Sequence, residues 1–337
     1  MKKQISLGLI SVLIVLFFFS CNQSGKNVEI GLLMGDLERE RWQKDTMSFV
    51  ENAKKMDMNV YVRNAKNNQE KQIKQAEELI EKGVDVLVVV PVNQDLSSKI
   101  VEIAHQNNIE VIAYDRLIKG CDLDYYVSFD NVRVGEKQAE YLTKLKPRGN
   151  YVLIEGPTTD NNSIMLRLGQ MNALSPYLQK GDIQIIYDQF AESWDKESGE
   201  KEMRKCLREY GSKIDAVIAG NDALAEGIAE VIEQHGIEKN VLLAGQDAEL
   251  DACQRIVKGT QTMTIYKPVR NLAEVAVKVA GKFAKKEQIH TINNQTIFND
   301  SIMVPTILVE PVTVNRQNIK MTVVESGYQQ GSEVFVE

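Results

Sequence analysis

Short β-branched runs alternate along this chain with longer segments whose apolar positions recur at helical spacing. VEIGLLM precedes a helix expected from about Glu40 to Lys55, NVYVRNA precedes IKQAEELIEKG, VDVLVVVP precedes LSSKIVEIAHQ, and IEVIAYD closes the series. Strand and helix patterns in strict alternation predict a parallel, doubly wound sheet. The rhythm restarts with GNYVLIEG, QIIYDQF, DAVIAGND and NVLLAGQD, each followed by a helical pattern, and predicts a second sheet of the same kind. QTMTIYKP, the long helix LAEVAVKVAGKFAKK and the extended TILVEPVTV then read as returns between the halves. The expected fold class is α/β, with two doubly wound, Rossmann-like lobes.

The first residues break this pattern. Lys2 and Lys3 precede an apolar stretch from Ile5 to Phe19, interrupted by Ser6, Gly8 and Ser11, that ends at Ser20 and Cys21. It falls short of the roughly 18 or more apolar residues that a spanning helix needs, and it reads as a cleaved secretory signal over residues 1–20. A small residue before a cysteine also resembles the lipobox of bacterial lipoproteins, which makes Cys21 the lipidated first residue, with 21–26 as its tether. Such an anchor holds a folded body at a membrane surface while leaving it in water. The expected location is therefore the periplasm, with the body tied to a membrane.

The chain has 337 residues, a formal net charge of −7 and 43% hydrophobic composition. This suits two buried cores, and the acidic balance argues against nucleic acid as a partner. No Pro/Ser/Gly-rich linker divides it, which suggests lobes whose strands interleave through several crossings. Beyond Cys21 the cysteines are Cys121, Cys206 and Cys253, without metal-type spacing or a disulfide framework. Cys206 and Cys253 lie in helical patterns where a thiol packs, and Cys121 reads as a loop thiol.

In an open parallel sheet, ligands bind just beyond the carboxyl ends of the strands. The residues there are polar and matched in type. Arg41 and Trp42 follow the first strand, and Asp115 and Arg116 the fourth. The second half supplies Asp160, Asn162, Trp194, Asn221, Asp222, Asp247 and Lys267. An ionised carboxylate takes a hydroxyl proton while guanidinium, ammonium or amide donates to the hydroxyl oxygen, which suits a sugar. Trp42 and Trp194, the only two tryptophans, fall one in each half and could clamp a flat ring. Each Asp or Asn could equally be the N-cap of the next helix, so the weight lies in the set.

The strings ERERWQKD, GVDVLVVVP, AYDRL, SFDN, DNN with a GQM turn, GNDA, AGQDA and GTQTMT-YKP together resemble the periplasmic D-xylose-binding proteins of bacterial sugar uptake. The resemblance runs from about Glu29 to Lys320 and is loosest around Trp194. It implies a type I periplasmic binding fold with a three-segment hinge, near Ser128 to Asn131, Met263 to Lys267 and Val304 to Val309. The lobes it implies are 27–129 with 266–303, and 130–265 with 304–337. It carries over Arg41, Trp42, Asp115, Arg116, Asp160, Asn162, Trp194, Asn221, Asp247 and Lys267 as the contacts of a monosaccharide, D-xylose first. It further implies a monomer without cofactor or metal, read by an ABC-transporter permease or by a sensor kinase. A sugar-converting enzyme is the weaker alternative, because the chain has no phosphate loop or dinucleotide fingerprint, and its histidines, His105, His235 and His290, are scattered. A repressor-type effector domain would need a helix-turn-helix where the signal segment stands.

Overall fold

The computed structural model describes residues 27–287, 289 and 295–336. The signal segment, the tether, Cys21 and His290 lie outside the described residues. In chain order the first half contains β1 Val28–Met34, α1 Glu40–Lys55, β2 Met58–Asn64, α2 Gln69–Glu81, β3 Val86–Val89, α3 Ser98–Gln106, β4 Glu110–Tyr114 and β5 Tyr125–Phe129. The second contains α4 Asn131–Leu145, β6 Gly149–Glu155, α5 Asn161–Lys180, β7 Ile183–Phe190, α6 Lys196–Tyr210, β8 Ala216–Ala219, α7 Asp222–Gln234, β9 Leu242–Ala244, α8 Leu250–Lys258 and β10 Thr264–Tyr266. The chain ends with α9 Val269–Ala284, β11 Thr296–Phe298, β12 Met303–Val309, β13 Val312–Val314, a π-helical turn Lys320–Val324 and α10 Gly331–Val334.

Among the described residues the first sheet runs β11-β12-β5-β4-β3-β1-β2 and the second β7-β6-β8-β9. Both have their first two strands reversed in order, which opens a crevice at the carboxyl ends beside the first strand. The central strands of each sheet are buried on both faces, which is why β3 and β8 read as continuous apolar runs, while the edge strands β2 and β7 are only partly buried. On one face of the first sheet Phe49 of α1 and Ala276 of α9 pack against Ile30 and Val88. Leu79 and Ile100, from α2 and α3, cover Leu87 and Val111 on the other. Burying a side chain of this size contributes about 1.5–3 kcal/mol. A third core, around Tyr151, Leu153, Ile218 and Met203, fills the second lobe.

The chain leaves the first sheet after Phe129, where Asp130 caps α4 by accepting from the N–H of Arg133 at 2.9 Å. It returns at Lys267 and Pro268, where β10 ends and α9 begins. The third passage comes later than Val304–Val309. Thr306–Val309 of β12 pair in parallel with Tyr126–Phe129 of β5 and belong to the first lobe's sheet. That pairing satisfies the outer edge of β5, and the chain crosses only at Glu310 and Pro311 before β13 pairs with β10. The expected GQM turn is also corrected, because Gly169, Gln170 and Met171 lie inside α5. A Cβ on Gly169 would come 1.9 Å from the carbonyl oxygen of Val132, so this glycine serves the close approach of α4 to α5.

Candidate functional site: a cavity between the lobes

The carboxyl ends of the two sheets face each other, and a narrow cavity with about 10 Å³ of water-accessible space lies between them. The ten residues that the family resemblance carries over all line it, together with Arg39 and Gln246, while Asp222, also noted after a strand, does not. The first lobe presents Arg41 and Trp42 from the first turn of α1, and Asp115 and Arg116 from the loop after β4. The second presents Asp160 and Asn162 at the start of α5, Trp194 before α6, Asn221 at the cap of α7 and Asp247 after β9. Lys267 stands at the second passage between lobes.

The capping reading and the site reading hold together. Asp160 accepts the N–H of Asn162 at 3.0 Å, and Asn221 accepts that of Leu224 at 2.8 Å. Each side chain thus satisfies a helix terminus with one atom and faces the cavity with the rest. Asp222 is different: its carboxylate is turned inward, where it accepts from Thr264 Oγ1 at 2.8 Å and Gln261 Nε2 at 2.9 Å. It ties β10 to α7 and does not line the cavity.

The charges are paired across the cleft. Arg116 Nε lies 2.7 Å from Asp160, Arg39 Nη2 lies 2.6 Å from Asp247, and Arg41 Nη1 lies 3.5 Å from Asp247. Asn162 Nδ2 donates to Asp115 Oδ1 at 3.1 Å. Within the first lobe Arg41 binds Asp115, and its Nε donates to Asp45 at 3.2 Å. Burial alone would push Asp115 up, but Arg41, Lys267 and Arg116 outweigh it and hold the carboxyl at about 2. Burial likewise opposes Arg41, Lys267 and Arg39 at Asp247, and the cations win, keeping it below the usual carboxylate range. Burial and the neighbouring Arg41 lower Lys267 against the pull of Asp115, Asp247 and Asp160. At neutral pH both carboxylates are therefore acceptors. Asp247 Oδ1 and Gln246 Oε1 are buried and make no hydrogen bond among the described residues.

The two tryptophans are supported differently. The Arg41 guanidinium lies 4.3 Å and that of Arg116 5.3 Å from the centre of the Trp42 ring. Trp194 lies on glycine: a Cβ on Gly156 would come 2.3 Å, and one on Gly220 2.9 Å, from its ring atoms. Its Nε1 donates to Asp160 at 3.0 Å. Beneath it Glu155 is fully buried and accepts from Gln170 at 2.6 Å. Burial lifts its carboxyl to about 8, with the Gln170 hydrogen bond offsetting only part.

Acceptors, donors and two flat rings gathered around one cleft suit a small polyhydroxylated molecule held through many bonds at once. Among the described residues no group of His, Cys, Asp and Glu could hold a metal ion. His105 pairs with Asp124 at 2.8 Å and His235 with the carbonyl of Val231 at 2.7 Å, both away from the cavity. Cys206 and Cys253 are buried and free; Cys121 is free and half-buried.

The model of the periplasmic binding protein domain matches residues 30–288. The chain is 40% identical to the D-xylose-binding periplasmic protein of Haemophilus influenzae over 98% of its own length and 99% of that protein's. It is 42% identical to the protein of the same description from Escherichia coli, over 92% and 93% of the two chains. A carbohydrate transporter solute-binding protein from Chloroflexus aurantiacus, solved in complex with D-glucose, superimposes with a TM-score of 0.85 at 28% identity, covering 92% of this chain and 98% of that one.

Proposed function

This chain belongs to the periplasmic binding protein family, and from that premise we propose that it captures one molecule of D-xylose between its lobes and hands it to the permease of an ABC transporter. The observation that carries the ligand is the 40% and 42% identity, over more than nine-tenths of the chain, to two proteins described as binding D-xylose. The cavity supports it with charged and amide partners for several hydroxyls at once.

In this reading Asp115, Asp160 and Asp247 accept hydrogen bonds from hydroxyls, while Arg41, Arg116, Lys267, Asn162 and Asn221 donate to hydroxyl oxygens. Trp42 and Trp194 cover the apolar C–H faces of the ring. Hydroxyls that exchange into Arg116–Asp160 and fill the open acceptor of Asp247 make contacts with both lobes, and those contacts exist only when the lobes are together. A ligand shifts a hinge equilibrium by that difference. The turning points are the passages at 129–131, 267–268 and 310–311. Cleavage before Cys21 and lipidation of its thiol would leave 21–26 as the tether. Among the described residues no helix is long and apolar enough to cross a membrane.

Calorimetric titration of the protein without its lipid, followed in parallel by tryptophan fluorescence, tests the ligand. D-xylose should bind one to one and more tightly than D-ribose, L-arabinose or D-glucose. Tighter binding of D-glucose would make this a hexose receptor, and no binding of any of the four would overturn monosaccharide capture.

A further inference from the structure

Outside the cavity, the first turns of α1 reach across the cleft to the second lobe. Glu40 Oε2 accepts the backbone N–H of Leu250 at 3.0 Å. Leu250 opens α8, and the cap residue of that helix, Glu249, makes no side-chain capping bond. The other oxygen of Glu40 accepts from Lys44 Nζ at 2.6 Å and from Gln329 Nε2 at 2.9 Å. Lys44 donates in turn to the carbonyl of Tyr328 at 2.6 Å and to Gln329 Oε1 at 2.7 Å, and lies 4.2 Å above the Tyr328 ring.

These groups sit on two bodies. Phe49 and Ala53 fix α1 in the core of the first lobe. Tyr328 packs in a separate cluster with Ala248, Cys253, Tyr266 and Val323, on the flank of the second lobe. Its hydroxyl donates to the carbonyl of Asp247 at 3.1 Å, and Gln329 Nε2 donates to that of Ala248 at 3.1 Å. The segment thus braces the turn that aims Asp247 at the cavity. A helix N-terminus has unpaired N–H groups and a partial positive charge, and here the carboxylate that meets them comes from the opposite lobe. None of Glu40, Lys44, Tyr328 or Gln329 lines the cavity.

We propose that Glu40 and Lys44, closing on Leu250, Tyr328 and Gln329, form a latch that sets how much of the ligand-free protein is closed, and thereby how tightly it holds its ligand. The proposal rests on the reading that the lobes close around a sugar. When only a fraction of the molecules is binding-competent, the apparent dissociation constant is the intrinsic one divided by that fraction. The latch is therefore an affinity determinant that touches no ligand. It is charged and in part solvent-exposed, so it can open when the lobes part, unlike the buried hinge strands.

Glu40→Gln, which keeps the shape of the side chain, and Gln329→Ala, which breaks the contact from the other lobe, test it. In small-angle X-ray scattering both ligand-free variants should be more open than the parent, and with saturating D-xylose all three should coincide. D-xylose affinity should fall about tenfold in each, mainly through faster dissociation. Variants that melt earlier yet keep the parent's ligand-free scattering and affinity would show a merely structural contact and overturn the latch. Failure of the parent to bind any monosaccharide would remove the sugar reading, while the ligand-free scattering would still decide the latch.

Discussion

Asp115 in the first lobe and Asp247 in the second hold the same place in their sheets. Each follows a strand, each has its backbone N–H on a carbonyl of the neighbouring strand, Val127 at 2.8 Å and Ile265 at 2.7 Å, and each has a positive φ, 64° and 101°. A non-glycine residue in that region is strained, and such strain persists where the surroundings over-determine it. The supports differ. Asp115 answers to Arg41 of its own lobe, next to Asp45, whereas every cation near Asp247 comes from the first lobe or from Lys267 at the passage. The first lobe brings three guanidiniums and one carboxylate to the cavity, and the second brings two carboxylates, amides and a ring laid on glycine. One lobe carries a self-consistent charge network. The other takes its cations from across the cleft.

The largest test of that asymmetry compares Asp247→Ala with Asp115→Ala. Removing Asp247 leaves Arg41 and Lys267 buried without their cross-lobe partner only when the lobes close, so the cost falls on binding. D-xylose affinity should drop by at least about a hundredfold, with little change in the ligand-free melting temperature. Removing Asp115 strands Arg41 inside a folded lobe, and breaking a buried pair from one side costs roughly 3–5 kcal/mol. That variant should lose both affinity and thermal stability. Equal melting temperatures for the two variants would contradict the division of roles.

The lobes also differ in how they answer pH. Asp115 is held at about 2, below its ordinary 3.8, so the stability it contributes is present above about pH 4 and lost only as pH falls toward 2. Glu155 is raised from 4.5 to about 8, so its contribution is full below pH 4.5 and disappears as pH rises to about 8. Asp222, raised to about 8 by burial and Glu249, acts in the same direction. Asp45, raised to about 6, adds a smaller effect in the first lobe that is complete by neutral pH. Between pH 5 and 8 the ligand-free protein should lose stability, with Glu155 accounting for roughly 2–4 kcal/mol. Denaturant melts of the parent and of Glu155→Gln across that range check it. The variant should show a visibly flatter profile, and an unchanged slope would mean that Glu155 is ionised in the fold.

Most of the architecture was legible because both sheets are parallel and buried at their centres, apart from the antiparallel edge pair β11–β12, so most strands announce themselves as apolar runs and the crossovers as helical periods. The cavity residues were legible for a related reason: in such a sheet the position after a strand is where polarity is least expected of a packing residue. What escaped lacked periodicity or had two uses. The segment from Asn315 onward has no strong pattern, and its packing on α8 comes from scattered contacts of Ile319, Val323 and Tyr328. Gly169 reads as a turn but buys helix contact, and β12 reads as a connector but completes a sheet. Gly156 and Gly220 are invisible as site residues, since their role is to be flat beneath Trp194. Gln246 adjoins an acid that draws the eye, and Arg39 is hidden in ERER, where alternating charges read as a solvated helix start.

Arg39 offers the finest test. It stands at the cap of α1 with 17% of its side chain exposed, and it reaches across the cleft to Asp247 at 2.6 Å and Glu249 at 3.2 Å. It donates to Oδ2 of Asp247, whereas Oδ1 is the oxygen without a hydrogen bond, so a sugar hydroxyl can be accepted there without displacing the guanidinium. In the proposed binding mode Arg39 therefore helps closure and does not compete with the ligand. Being at the rim, it is partly screened, and Arg39→Ala should weaken D-xylose binding only about two- to fivefold. The parent's affinity should fall modestly between low and high salt, and the variant's should fall less. A variant that binds more tightly than the parent would show instead that Arg39 occupies the sugar's place on Asp247, and the second lobe would then be one that the first lobe blocks until ligand arrives.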